Sequence, residues 1–130
     1  MKLRCTHNSI RLRVRKSELD TLQQMGAIAE SILFLNKKVL SFALKTDVTI
    51  EEVVAQLIDN EIIVSLPREQ AEQWIATNQV GIEANISTVG NEQLHILVEK
   101  DFPCLDRENE DKSDTFWELA QEKDKDALNC

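Results

Sequence analysis

Glycine, aromatic residues and positive charge are in short supply in this chain, and each shortage removes a class of function. Three glycines in 130 residues leave no Gly-rich loop to cradle a phosphate. Aromatic residues make up 5% and tyrosine is absent, so there is no platform on which single-stranded nucleic acid would stack. A net charge of −8 argues against nucleic acid as a general partner. No apolar run approaches the roughly 18 residues of a membrane span, and the opening Met1-Lys2-Leu3-Arg4-Cys5 lacks the apolar stretch of a secretory signal. The three cysteines, Cys5, Cys104 and Cys130, are an odd set at no metal spacing, which points to free thiols in a reducing cytoplasm. His7 and His95 are the only histidines, and neither has a converging partner in the sequence for metal or general-base work.

What is present fits one globular domain, with 42% apolar and 29% charged residues. Charge is divided between the two ends. Residues 1–16 carry six basic groups (Lys2, Arg4, Arg11, Arg13, Arg15, Lys16) and no acid, whereas residues 101–130 carry ten acids against four bases.

Residues 2–47 recur in degenerate form at 54–101. With Asn8 set on Asn60, Leu3, Cys5, Ile10, Leu12 and Val14 fall on Ala55, Leu57, Ile62, Val64 and Leu66. The pairing continues through Leu22 on Trp74 and Ile28 on Val80, and after a two-residue insertion Leu40–Asp47 lies over Leu94–Asp101. A repeat of this length present only twice implies a duplicated unit closing on itself rather than a solenoid.

Each unit reads β-β-α-β-β. Lys2–Thr6 and Ser9–Arg15 alternate in polarity around a His7-Asn8 turn. Ser17 is placed to cap a helix whose stripe is Leu19, Leu22 and Met25, and Gly26 ends it. Strands over Ile28–Leu35 and Val39–Lys45 flank Asn36-Lys37. The second unit turns at Asp59-Asn60, starts its helix at Pro67 with Ala71, Trp74 and Ile75 inward, and ends in strands Val80–Ser87 and Gln93–Lys100 around Val89-Gly90-Asn91. Locally Ile50–Ile58 has helical spacing, and Thr49 with Glu52 resembles a capping box. The repeat instead requires a strand over Val54–Ile58, with at most a helical turn at Thr49–Val53. The expected fold is α+β: about eight strands in an antiparallel, barrel-like sheet with two helices. Residues 1–116 are expected to form the domain, with an acidic extension over 102–116 that Phe116-Trp117 docks back on it, and 117–130 an acidic tail.

The sharpest site candidate is a basic stripe. A two-residue turn at His7-Asn8 sets Arg4 opposite Arg11 and Lys2 opposite Arg13, and period-2 alternation adds Arg15 to that face. Like charges directly opposed need an anionic partner, and guanidinium groups bind carboxylate or phosphate in bidentate fashion. The stripe meets a small phosphorylated or otherwise anionic ligand, or it is solvated, or it pairs with the chain's own Glu83, Glu99, Asp101 and acidic extension. Carboxylates between Cys104 and Asp114 offer a divalent-ion alternative, without the glycine and ligand order of an EF-hand, and Arg107 stands near the Cys104 thiol.

The segments Met1-Lys2-Leu3-Arg4, Asn8-Ser9-Ile10-Arg11-Leu12-Arg13 and Lys16-Ser17-Glu18, with Val98–Phe102, Cys104-Leu105-Asp106-Arg107 and Glu110–Asp114, resemble a family of small uncharacterised bacterial proteins over about residues 1–116. That resemblance implies kinship and no activity. The doubled β-β-α-β-β order is also similar to the CYTH, or triphosphate-tunnel, fold. This second resemblance implies an eight-stranded barrel that holds triphosphate among basic side chains, with acids binding divalent metal. Where that family's first strand carries acidic-x-acidic-x-basic, this chain reads Lys2-Leu3-Arg4-Cys5-Thr6, without an acid.

The functional expectation is therefore a cytoplasmic, non-enzymatic domain that binds a phosphate-containing or other anionic ligand on a basic hairpin face formed by Lys2, Arg4, Arg11, Arg13 and Arg15. No catalytic residue, metal or cofactor is assigned, and no nucleic acid or membrane partner is expected. A protein-interaction module whose basic face is neutralised by its own acidic extension is the alternative, and a CYTH-type metal-dependent phosphohydrolase is the third.

Overall fold

The computed structural model describes residues 1–102 together with Asp114, Phe116 and Leu119. Its elements run β1 (Lys2–Thr6), β2 (Ser9–Val14), α1 (Lys16–Met25), β3 (Ala27–Leu33), β4 (Val39–Asp47), β5 (Val54–Ile58), β6 (Glu61–Pro67), α2 (Arg68–Ala76), β7 (Gly81–Ser87) and β8 (Gln93–Lys100). The fold class is α+β. The single barrel is corrected: the strands form two separate four-stranded sheets, β1-β2-β8-β7 and β3-β4-β6-β5. Nor are they wholly antiparallel, because the central pairs β2–β8 and β4–β6 are parallel. Turn residues specify hairpins within one half of the chain. They carry no information about pairing between halves, which is where the parallel contacts lie.

The two halves share their ladders residue by residue. Adding 52 to each member of the β1–β2 ladder gives the β5–β6 ladder, so that Lys2↔Arg13 becomes Val54↔Ser65. Adding 54 to the β3–β4 ladder gives the β7–β8 ladder, so that Ala27↔Lys45 becomes Gly81↔Glu99. The two-residue shift is already complete at β7, so Ile28 corresponds to Ile82 and not to Val80. Each half gives one hairpin to each sheet, and a helix carries the chain from the first sheet to the second or back. The core is shared for the same reason. Leu12 and Val14, Phe42 and Leu44, Val64 and Leu66, and Ile96 and Val98 meet Leu19, Leu22, Ala71 and Trp74 in one cluster. Neither half has a core of its own to bury.

Local chemistry explains the element ends. Asp59 (φ 47°) and Asn60 (φ 66°) form a turn with two left-handed residues, for which Asp and Asn are suited. Arg15 takes the N-cap of α1 in place of Ser17, and its N–H donates to Glu18 Oε1 at 2.9 Å. Gly26, at φ 80°, closes α1 as its left-handed cap. Met25 is 76% exposed, so the stripe of α1 ends at Leu22. No helical turn forms at Thr49–Val53. Asp47 Oδ1 accepts from the Thr49 N–H at 2.8 Å and the Thr49 hydroxyl at 2.6 Å. These bonds hold the Asp47 carboxyl below its ordinary value. Pro67 ends β6 and caps α2. The Cys104–Asp114 segment apart from Asp114, Trp117 of the expected clip, and the tail apart from Leu119 lie outside the described residues, and Phe116 is exposed.

Candidate functional site

The outward face of the first sheet carries the basic stripe. Period-2 alternation turns Ile10, Leu12 and Val14 of β2 to the core and leaves Ser9, Arg11 and Arg13 outside. The β1–β2 register places Arg4 against Arg11 and Lys2 against Arg13, as the hairpin reading required. The parallel β2–β8 pair then sets Leu97 beside Arg11 and Glu99 beside Arg13.

Glu99 is the centre of the cluster. Its Oε1 accepts from Arg11 Nε at 2.6 Å and from Arg13 Nε at 2.9 Å, and Arg11 Nη2 contacts the same oxygen. Arg13 is 7% exposed and Glu99 6%, so this is a buried pairing of the kind that must be closely satisfied to hold. The Arg13 guanidinium also sits 5.2 Å from the centroid of the Phe102 ring. Lys2 Nζ reaches Asp101 Oδ2 at 3.4 Å. Among the described residues, Lys2, Arg4, Arg11 and Arg13 against Glu99 and Asp101 leave two formal positive charges uncompensated. Arg4 is exposed and belongs to no ion pair among the described residues. Arg13 Nη2 is buried and has no hydrogen-bond partner among the described residues. A cleft of about 170 Å³ opens among Lys2, Leu3, Arg4, Arg11 and Arg13. Arg15 is not part of it, since β2 ends at Val14 and Arg15 turns into the N-cap of α1.

One glycine makes room for this arrangement. Gly81 of β7 pairs with Glu99, and a Cβ there would stand 2.6 Å from Val98 O and 3.0 Å from Glu99 Cβ. The corresponding positions of the second sheet read Ala27, Lys45, Ser65 and Val54 in place of Gly81, Glu99, Arg13 and Lys2. The anionic centre is absent there together with the arginines.

Glu83, expected against the arginines, instead faces His95. His95 Nε2 lies 2.7 Å from Glu83 Oε1, and His95 Nδ1 lies 3.3 Å from Ser9 Oγ. A serine, an imidazole and a carboxylate are thus joined across three strands. The chain can pass a proton but opens into neither cleft described here, and Glu83 is largely solvated. Sequence spacing gave no sign of it, because Ser9 and His95 meet through the parallel β2–β8 pair. Two more acids were missed in the same way. The Met1 amino group is shielded from solvent and donates to Glu18 and, at 2.9 Å, to Glu30 Oε1. Burial opposes ionisation of Glu18. The hydrogen bonds from the Met1 amino group and the Arg15 N–H, with the adjacent positive charges, outweigh it and hold the carboxyl below its ordinary value.

A second cleft of about 310 Å³ lies where α1 and α2 meet the ends of β2 and β8, floored by Val14, Leu19 and Ile75 and rimmed by lysine and aspartate in equal number. Among the described residues no three His, Cys, Asp or Glu side chains converge as metal ligands, and no helix is long and apolar enough to cross a membrane.

The model of a family described as a family of unknown function, DUF7009, matches residues 1–119, and the chain belongs to that family. No curated protein and no solved structure matches it.

Proposed function

We propose that the outward face of the first sheet binds a small oxyanion, a carboxylate or a single phosphate group, with Arg4 and the free Nη2 of Arg13 as its principal donors. The observation that carries this reading is the Nη2 of Arg13, buried and without a partner among the described residues, in a residue that lines a cleft with Arg4. A buried donor without an acceptor costs about 1–3 kcal/mol; Nη2 is shielded from the cleft, so an oxyanion bound at Arg4 relieves that cost by drawing the Arg13 guanidinium toward it. The volume, about 170 Å³, is below the roughly 300 Å³ of ordinary small-molecule pockets. It suits one anionic group and not a nucleotide. Thermal unfolding against inorganic phosphate, acetate and tripolyphosphate at constant ionic strength tests the reading. Stabilisation by an oxyanion that disappears in Arg4→Ala supports it, and a melting temperature indifferent to the whole panel overturns it.

The Lys2–Asp101 contact favours a second reading, in which the residues leading into the acidic extension screen a face meant for a protein partner. Deleting the residues after Pro103 then raises retention on heparin, and unchanged retention counts against it. The order of elements, doubled with constant ladder offsets, supports our inference that the halves descend from one β-β-α-β-β unit. It also supports a distant kinship with the CYTH fold. The acid-free first strand and the two unclosed sheets argue against carrying over that fold's metal-dependent phosphohydrolase chemistry.

A further inference from the structure

The outward face of the second sheet, β3-β4-β6-β5, is as neutral as its counterpart is charged. Its rows across the strands read Ala27-Lys45-Ser65-Val54, Ala29-Ala43-Ile63-Gln56 and Ser31-Ser41-Glu61-Ile58, with Leu33 and Val39 paired beyond them. Small side chains make the middle flat. Leu33 (74% exposed), Val39 and Ile58 border it as exposed aliphatics, and Leu35 at the adjoining turn is fully exposed. A nearly uncharged face bordered by exposed aliphatics marks an interaction surface.

We propose that this face docks a second copy of the same chain, the two sheets packing face to face about a two-fold axis. Charge placement selects that occupant. The face carries one cation, Lys45, and one anion, Glu61, which lie one row to either side of the Ala43–Ile63 pair and on adjacent strands. A two-fold axis lying in the interface and passing over Ala43–Ile63 sets Lys45 of each copy on Glu61 of the other. Both ion pairs form at once, as a self-complementary contact requires. An anionic membrane would accept Lys45 and repel Glu61, and the net charge of −8 opposes that approach. The first sheet is unable to stack on itself in this way, since its middle row holds Arg4 and Arg11. The general repulsion between two acidic chains is screened beyond roughly 8 Å at physiological salt, while the paired groups in contact are not.

Sedimentation equilibrium of the full chain at physiological salt tests the proposal. The expected species has twice the chain mass. Lys45→Glu and Glu61→Lys, each on an exposed or half-exposed side chain, weaken association at least tenfold when measured alone. An equimolar mixture of the two single variants regains the dimer, because one copy then carries two acids and the other two lysines. The double variant Lys45→Glu/Glu61→Lys regains it as well. Leu33→Glu gives a monomer with unchanged circular dichroism. A monomeric wild-type chain at every concentration overturns the proposal. So does a dimer indifferent to both charge changes.

Discussion

Arg13 and Glu99 face each other across the parallel β2–β8 pair, both more than nine-tenths buried, joined by a 2.9 Å bond that leaves one nitrogen of the same guanidinium without a partner among the described residues. Removing the anion is the harsher half of breaking such a pair, because Glu99 also holds Arg11. Glu99→Ala is expected to lower stability by about 3–5 kcal/mol. Urea unfolding measures it. A loss below about 1 kcal/mol, the range of an exposed ion pair, means that the cluster is not buried in solution.

Arg4 and Arg13 should separate ligand binding from stability. Arg4 is exposed and outside the pairing, so Arg4→Ala leaves the unfolding free energy within about 0.5 kcal/mol while abolishing the oxyanion-dependent rise in melting temperature. Arg13→Ala also abolishes that rise but costs about 2 kcal/mol through lost packing and lost bonds to Glu99. Arg13→Met, which refills the space and removes the orphan donor, costs less than Arg13→Ala. Equal losses for Met and Ala mean that packing around the stem contributes nothing.

Gly81 gives a second handle on Glu99. The Cβ of Gly81→Ala meets backbone oxygen at 2.6 Å, so strand β7 or β8 has to move. The expected cost is about 1–3 kcal/mol, with a weaker oxyanion response because the neighbour displaced is Glu99. Ala27, at the corresponding place in the second sheet, shows that the ladder itself tolerates a Cβ. Gly81→Ala with wild-type stability and wild-type oxyanion response means that Glu99 is not held by this contact.

The hairpins, both helices and the Arg4–Arg11 and Lys2–Arg13 pairings were legible because each depends on neighbours in sequence: alternation, a turn residue, a cap. Glu99 was named among the possible partners of the stripe, but nothing singled it out from Glu83 or Asp101. Its place beside Arg13 comes from a parallel pair between residues 86 apart, and parallel pairing leaves no turn to read. Closure into one barrel was inferred from edges that needed covering. The edges of the first sheet are protected differently, with Lys2 and Arg4 on β1 and Glu83 on β7. Ser9, His95 and Glu83 were each visible as residue types and met only in three dimensions.

Glu18 makes stability depend on pH with a known sign. In the folded chain its carboxyl lies below the ordinary value, because the Met1 amino group and the Arg15 N–H bond its charged form against the opposing effect of burial. The folded state therefore prefers the ionised group more strongly than the unfolded state does. That stabilisation is complete above the unfolded value of about 4.3 and is lost as pH falls through the lower, folded value. Glu18→Gln removes the charge while keeping the side chain's size. It is expected to cost about 1–2 kcal/mol at neutral pH, with a gap to wild type that stays flat down to about pH 5 and narrows below about pH 4. Glu30→Gln, at the second and more exposed partner of the same amino group, costs less. Paired urea titrations from neutral pH downward measure both gaps. A Glu18→Gln gap that persists unchanged into strong acid shows that its origin is packing and not charge.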